Sequence, residues 1–364
     1  MTLLLSYRRW WAIIFVGLLV LPFFGHFMGD LPTPVRTRIA PEEQWWRNAA
    51  ARLDPFINET FGFRGVMLAG NRAYLRVLKS SRSRPVIIGA EKQMFYTGDQ
   101  NLEKALGTVV DSEGLARLFS VIDDLNARAK AVGAKLVVTS PPSGETVYFD
   151  LLPSWARAQK VKPTEYDLLQ SAMAERGVTF ADLRPALIAS REGGRPYRRT
   201  DTHWNFRGSL IGLNEVLKAA GRPDLEVSEE KMLGPLEPEI SGDLVRLNGD
   251  PPSKDDENYR VNDWNGWREH ITPIDGIFAT PDEHELFPPY AYETGHPGPR
   301  VLIYGDSFTQ GYWPPFLVDR VSALAWTHHK YCDADLSAVE RFKPDIIIYA
   351  PTQRSLACKA APAP

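Results

Sequence analysis

Histidine is scarce in this chain: 364 residues contain seven. Cysteine is scarcer, with Cys332 and Cys358 as the whole complement. They would pair as a disulfide in an oxidising compartment or stand as two unrelated thiols, and spacing alone does not choose. A basic surplus is lacking too. The formal net charge is −3, which excludes a general affinity for nucleic acid, since that needs a basic face. No internal repeat and no low-complexity tract is present, so solenoid and linker-like architectures are excluded. Metal ligands are few: Asp201 and His203 lie two apart, and two ligands are too few for a metal hydrolase. No metal or cofactor is expected.

One long apolar run does exist. Tyr7-Arg8-Arg9 precedes "WWAIIFVGLLVLPFFGHFM", which has no acid, lysine or arginine from Trp10 to Met28. About 19 residues make roughly 28 Å of helix, close to one bilayer core. The paired arginines favour a cytoplasmic N-terminus. Residues 1–28 are therefore expected to be an N-terminal membrane anchor, with a cleaved signal peptide as the alternative. Either way the rest of the chain is exported. Residues 29–44 read as a proline-containing linker and 359–364 as a tail.

Between them, apolar strands alternate with helical stretches. "VIIGAEKQMFY" offers two short strands around Gly89, and "AKLVVTSPP" and "KPDIIIYAPT" read as buried strands. In "DSEGLARLFSVIDDLNARAKAVGAK", Leu115, Leu118, Val121, Ile122 and Leu125 form one helical stripe. A helix near 164–176, a strand at "GVTFADL" and a helix after "HWN" follow. Such alternation implies an α/β fold with a mostly parallel sheet flanked by helices. Residues 45–358 form this domain, and about 225–298 break the alternation as a long irregular insertion. The ten tryptophans and thirteen tyrosines fit a large core first and a carbohydrate-facing surface second.

"RVLIYGDSFTQGYW" (300–313) ends an apolar strand abruptly at Gly305-Asp306-Ser307. A sharp turn at Gly305 would hold Ser307 at the carboxyl end of the sheet, where open α/β folds place ligands. A serine hydroxyl needs a base to become a nucleophile. The short supply of histidines makes the search brief. His26 lies in the apolar run, and His270, His284 and His296 lie in the insertion. His328 and His329 are expected on the surface. His203 remains, in "RRTDTHWNFRG", with Asp201 two residues before it and Asn205 as a good cap for the next helix. Asp201 either orients His203 or serves as the helix N-cap or an Asx-turn residue before that helix. Asp306 is expected to brace the turn before Ser307.

Together, "GDSF" after a strand and an earlier "DTHW" resemble the alginate O-acetyltransferase family, periplasmic SGNH-hydrolase-like proteins with an Asp-x-His-Trp motif. "FINETFGFR", "VIIGAEKQMFY", "SPPSGETVYFDLLP", "SGDL" (241–244) and "FKPDIIIYAPTQRSL" extend the likeness from about 45 to 356. Three departures stand out. Ser143-Gly144 replaces a more basic, asparagine-containing stretch, "MFYTGD" lacks a preceding tryptophan, and Gln353 stands where a glutamate usually precedes the arginine.

The resemblance implies O-acetylation of an exported polysaccharide through a Ser307–His203–Asp201 triad and an acetyl-serine. A membrane-bound acyltransferase would supply the acetyl group. It also implies location at the periplasmic face of the inner membrane, held by the N-terminal helix, or soluble in the periplasm after signal cleavage. Tyr312, Trp204 and Arg64 are expected to bind substrate, with packing as the first reading of Trp204. Tyr312 and Asn248 are candidates for a second oxyanion donor beside the Ser307 N–H. Two rivals remain: an acetyl esterase with the same triad, and a non-catalytic polysaccharide-binding component of an export complex.

Overall fold

The computed structural model describes Trp10, residues 13–17, Gly70, and residues 85–262, 270–280 and 285–358. The chain divides into two compact units, Met1–Arg84 with Val245–Pro252, and Pro85–Leu244 with Ser253–Pro364. In the first, the described residues 245–252 close a turn in which Asp250 N–H donates to the Val245 carbonyl (2.9 Å). The expected anchor lies outside the described residues except for Trp10 and 13–17, and the linker and Arg64 lie outside altogether. Among the described residues, no helix is long and apolar enough to cross a membrane.

The second unit is built on a seven-stranded sheet. Its strands are β3 (Lys135–Thr139), β4 (Thr179–Ala181), β7 (Thr272–Pro273), β8 (Tyr290–Glu293), β9 (Arg300–Gly305), β10 (Ala323–His328) and β11 (Ile346–Tyr349), in the order β4-β3-β11-β9-β10-β8-β7. From β4 through β10 every neighbour is parallel. At the far edge β8 pairs antiparallel with β10, and β7 with β8. The sheet is thus mixed. Both antiparallel strands come from the insertion, where alternation with helices had stopped. Two antiparallel pairs stand apart from it: β1 (Val86–Ile88) with β2 (Met94–Tyr96), and β5 (Leu233–Glu239) with β6 (Asp256–Val261).

The central strands are apolar except at their ends because both faces are covered. On β9, Val301 and Ile303 join one core, with Val137, Ile348 and the buried stripe of Phe206–Ala219. Leu302 and Tyr304 join the other, with Ser112–Val132, Glu165–Glu175 and Ala338–Phe342. Each such buried aliphatic contributes about 1.5–3 kcal/mol of burial energy. The register sets Ile303 beside both Ile348 and Trp326, so β9 lies at the centre of the core. Its carboxyl end is accordingly one of the most firmly held points in the fold.

One expectation about the remaining residues changes, and one open alternative is decided. His328 ends β10, and His329 is buried at 1% exposure rather than lying on the surface. Cys332 and Cys358 form a disulfide that ties the loop after β10 to the end of the described chain.

Candidate active site

The Ser307 side of the site is made locally. β9 ends at Gly305, and Ser307 opens the one-turn helix Ser307–Gln310 with Asp306 as its N-cap. Asp306 Oδ1 accepts the Phe308 N–H (3.0 Å), and Oδ2 accepts the N–H (3.0 Å) and hydroxyl (2.8 Å) of Thr352, just beyond β11. Gly305 is needed for space rather than for an unusual φ. Its backbone is absent from the positive-φ glycines, but a Cβ there would collide with Thr309 Oγ1. Burial opposes ionisation of Asp306. His329, 3.8 Å from Oδ2, together with Arg354 and the Thr352 N–H, outweighs it and holds the carboxyl well below the usual range.

The His203 side is assembled from distant segments. His203 sits just before the helix Phe206–Ala219, whose cap Asn205 accepts the Gly208 N–H (2.9 Å). The cap role thus falls to Asn205, and Asp201 is engaged with the imidazole. Asp201 Oδ1 lies 2.7 Å from His203 Nδ1 and also accepts the His203 backbone N–H (2.9 Å). With its proton held on Nδ1, His203 presents Nε2 to Ser307 Oγ at 2.8 Å. The imidazole and the alcohol, 104 positions apart, are within proton-transfer distance.

Asp201 is in turn clamped. Arg198 Nη1 reaches its Oδ2 at 2.9 Å, and the Asp243 N–H donates to the same oxygen (3.3 Å). Burial pushes the Asp201 carboxyl up, but His203 and Arg198 overcome this and bring it down to about 2. Part of the clamp and the support behind it come from the insertion. Asp256, the first residue of β6, accepts the backbone N–H groups of Arg199 and Thr200 (3.0 Å each). Gly242 N–H donates to Thr200 Oγ1 (2.8 Å), and a Cβ on Gly242 would strike the Asp201 carboxylate. Only glycine allows the 241–244 loop to approach so closely.

Trp204 links the two sides. Its indole N–H donates to the Phe308 carbonyl (3.0 Å), and the side chain is wholly buried against Tyr197, Phe308 and Trp313. The expectation that Trp204 binds substrate is therefore corrected: no face of the indole is open to a ligand. Tyr312 is half-buried, with its ring stacked 6.2 Å from that of His203. Arg64 lies outside the described residues. The Asn248 amide donates to Asp250 (2.5 Å) within its own turn.

Four residues that sequence reasoning left without a role surround the site. Asp243 bonds to Thr202. Arg354 sits with its guanidinium 5.4 Å over the Phe308 ring. His329 backs Asp306. Glu145, buried at 3% exposure, shares a small polar cleft with Asp201, Thr202, Asn101 and Arg354. Burial raises its carboxyl to about 7, against a hydrogen bond from Asn101. Asp243 lay within the family-like "SGDL" and Arg354 within "APTQRSL", and nothing in either string announced a contact. Two departures from the family pattern meet here: Gln353 Oε1 accepts the Ser143 N–H (2.9 Å) and the Thr146 hydroxyl (2.8 Å).

Asp201, His203 and Asp243 also bring one possible ligand atom each within 4.8 Å of one another. Their hydrogen bonds run to each other and to Thr202, Arg198 and Ser307, with a proton between His203 and Asp201. A cavity of about 1000 Å³ lies behind the nucleophile helix, lined by Pro273, Phe278, Tyr290, Tyr292 and Pro314. None of the triad residues lines it.

Comparison with known proteins places these features. Residues 86–286 match the family model described as "SGNH hydrolase-like domain, acetyltransferase AlgX". The match takes in Asp201, His203 and Asp243 and stops short of Ser307. A probable alginate O-acetylase AlgJ of Pseudomonas syringae pv. tomato is 27% identical over 157 residues, which are 42% of this chain and 38% of that protein. The chain thus spans well under half the length of that relative. Bacillus cereus PatB1 with a sulfonyl adduct superposes with a TM-score of 0.53 at 14% identity, over 75% of this chain and 96% of that one. The O-acetyltransferase domain of Pseudomonas putida AlgJ gives 0.46 at 17%, over 76% and 94%. The likeness to PatB1 is one of fold. The family model covers more than half of the sequence, and the chain belongs to the AlgX acetyltransferase family of SGNH-hydrolase-like domains.

Proposed function

We propose that this protein is a serine-dependent O-acetyltransferase that acts on hydroxyls of an exported polysaccharide. One observation carries the reading: a continuous Asp201–His203–Ser307 chain, with contacts of 2.7 and 2.8 Å, at the carboxyl end of the central strand. Ser307 Oγ attacks the acetyl carbonyl while His203 Nε2 takes its proton. The tetrahedral oxyanion faces the Ser307 N–H, which has no intrahelical acceptor in the first turn. Collapse breaks the bond to the donor, whose leaving oxygen or sulfur takes the proton from His203, and leaves acetyl on Ser307. A sugar hydroxyl then attacks that acetyl. His203 takes its proton and returns it to Ser307 Oγ as the acetylated sugar departs.

Membership of the AlgX family and the AlgJ relative support a polysaccharide acceptor. On this reading the chain works on the periplasmic side of the inner membrane. It receives acetyl groups from a membrane-bound acyltransferase, and residues 1–28 either hold it there or are removed. The His203 side chain is 20% exposed, so water reaches the base, and hydrolysis competes with transfer.

The test is to incubate the full chain with p-nitrophenyl acetate, with and without a uronate or glucan oligomer, and follow acetyl by mass spectrometry. Acetyl on Ser307 that passes to the oligomer is expected, and Ser307→Ala and His203→Ala should abolish it. Acetyl that passes only to water makes the protein an esterase. Oligomer binding without any acetyl-serine would leave the non-catalytic reading in its place.

A further inference from the structure

Asp243 opens the short helix Asp243–Asn248 and makes more contacts at the site than a helix start needs. Its Oδ1 accepts the Thr202 N–H (2.8 Å), and its Oδ2 accepts the Thr202 hydroxyl (2.6 Å). The same Oδ2 lies 3.9 Å from His203 Nδ1, and the Asp243 N–H donates to Asp201. The residue thus lies beside the Asp201–His203 pair and reaches both members. We propose that Asp243 is a positioning residue for the base. It fixes Thr202 and Asp201 and sets a second negative charge beside Nδ1, so the imidazolium formed when Ser307 gives up its proton is flanked by two carboxylates. This rests on His203 being the base for Ser307.

The other charged and titratable groups around the ring are few. Asp201 touches Nδ1, and Arg198 approaches through Asp201, with Glu239 and Asp256 behind it. Tyr312 stacks at 6.2 Å, and Arg354 lies on the Phe308 ring, which packs against His203 at 4.8 Å. Asp243 is the one group besides Asp201 that brings negative charge within 4 Å of the ring among the described residues. Burial and the adjacent Asp201 charge raise its own carboxyl above the usual range. Both oxygens nonetheless accept hydrogen bonds from Thr202, which suits the ionised form.

Two variants separate charge from framework. Asp243→Asn keeps the shape: its carbonyl can still accept the Thr202 N–H, and its amide can donate to a reoriented Thr202 hydroxyl. Thr202→Val keeps the charge and frees Oδ2 to turn towards Nδ1. The readout is the rate at which phenylmethylsulfonyl fluoride modifies Ser307 in the full chain, followed by mass spectrometry from about pH 5 to 9. In Asp243→Asn the acidic limb should move down by about half to one pH unit, and the plateau rate should fall about tenfold, as expected for a weaker base. In Thr202→Val the limb should stay or move up.

A limb that does not move in Asp243→Asn, or that falls in Thr202→Val, overturns the inference and leaves the nucleophile standing. A lower rate with an unmoved limb overturns it too, because that is what a purely structural role would give. Should Asp243→Asn fail to fold, the direction in Thr202→Val decides. Wild-type Ser307 that is unmodified at every pH would sink the proposed function, and this inference with it.

Discussion

The two halves of the site are held in different ways. Ser307 is positioned by its neighbours in sequence: a strand end, an N-cap and a single helical turn. His203 is positioned by residues about 40–55 places away, in the 241–244 loop and at Asp256. A hydroxyl on a short turn after a buried strand comes with the core. An imidazole just ahead of a helix has no such strand behind it, and here the insertion supplies the missing support. On the proposed function, the difference separates what sets stability from what sets reactivity.

The largest effect should break both halves alike. Ser307→Ala and His203→Ala should each lower acetyl turnover by about 10⁴- to 10⁶-fold, roughly 5–8 kcal/mol, with little change in melting temperature. Unequal losses, with His203→Ala nearly active, would mean that another group takes the proton.

Gly242→Ala tests the base half alone. The added methyl should displace Asp201 and cut turnover by about 100-fold, while the thermal midpoint falls by only a few degrees. An unimpaired variant would show that the insertion is not the clamp.

Asp306→Asn tests the nucleophile half and should act mainly on stability, by about 2–3 kcal/mol at neutral pH. The folded carboxyl titrates below its unfolded value. Its contribution is therefore full above the ordinary carboxylate range and disappears as pH falls through the depressed value. Denaturation of the two proteins at pH 7 and near pH 2 should show the gap closing. A gap independent of pH would contradict the ionised brace.

The smallest effect belongs to Glu145, which sits between the halves. Its folded value of about 7 exceeds the ordinary 4.5, so the fold favours the neutral acid and loses stability as pH rises between these values. Glu145→Gln should be about as stable as wild type near pH 4 and more stable by about 2 kcal/mol at pH 8. Equal stabilities at both pH values would mean that the carboxyl is not isolated from water.

The same division decides how much could be read beforehand. β9, β11 and β3 announce themselves because strands covered on both faces carry an unbroken apolar run between their ends. Ser307 is marked by the abrupt end of such a strand, and His203 by elimination among seven histidines with an aspartate close by. The mixed edge of the sheet was not legible, because β7 and β8 are two and four residues long and carry little periodicity. His329 looked like a surface residue beside charged neighbours, yet Asp306 and the disulfide-tied loop enclose it. Asp243 was hidden for a plainer reason: an aspartate in a polar loop has the same signature whether it faces solvent or another carboxylate.

The Trp204 indole joins its own segment to the residue after the nucleophile. His203–Ser307 and Trp204–Phe308 are thus two rungs between the same pair of segments, the first reactive on the proposed function and the second inert. A displacement of either segment has to lengthen both rungs together. Anyone transplanting this chemistry into another scaffold should move four residues as a ladder, since the silent rung sets the spacing of the working one.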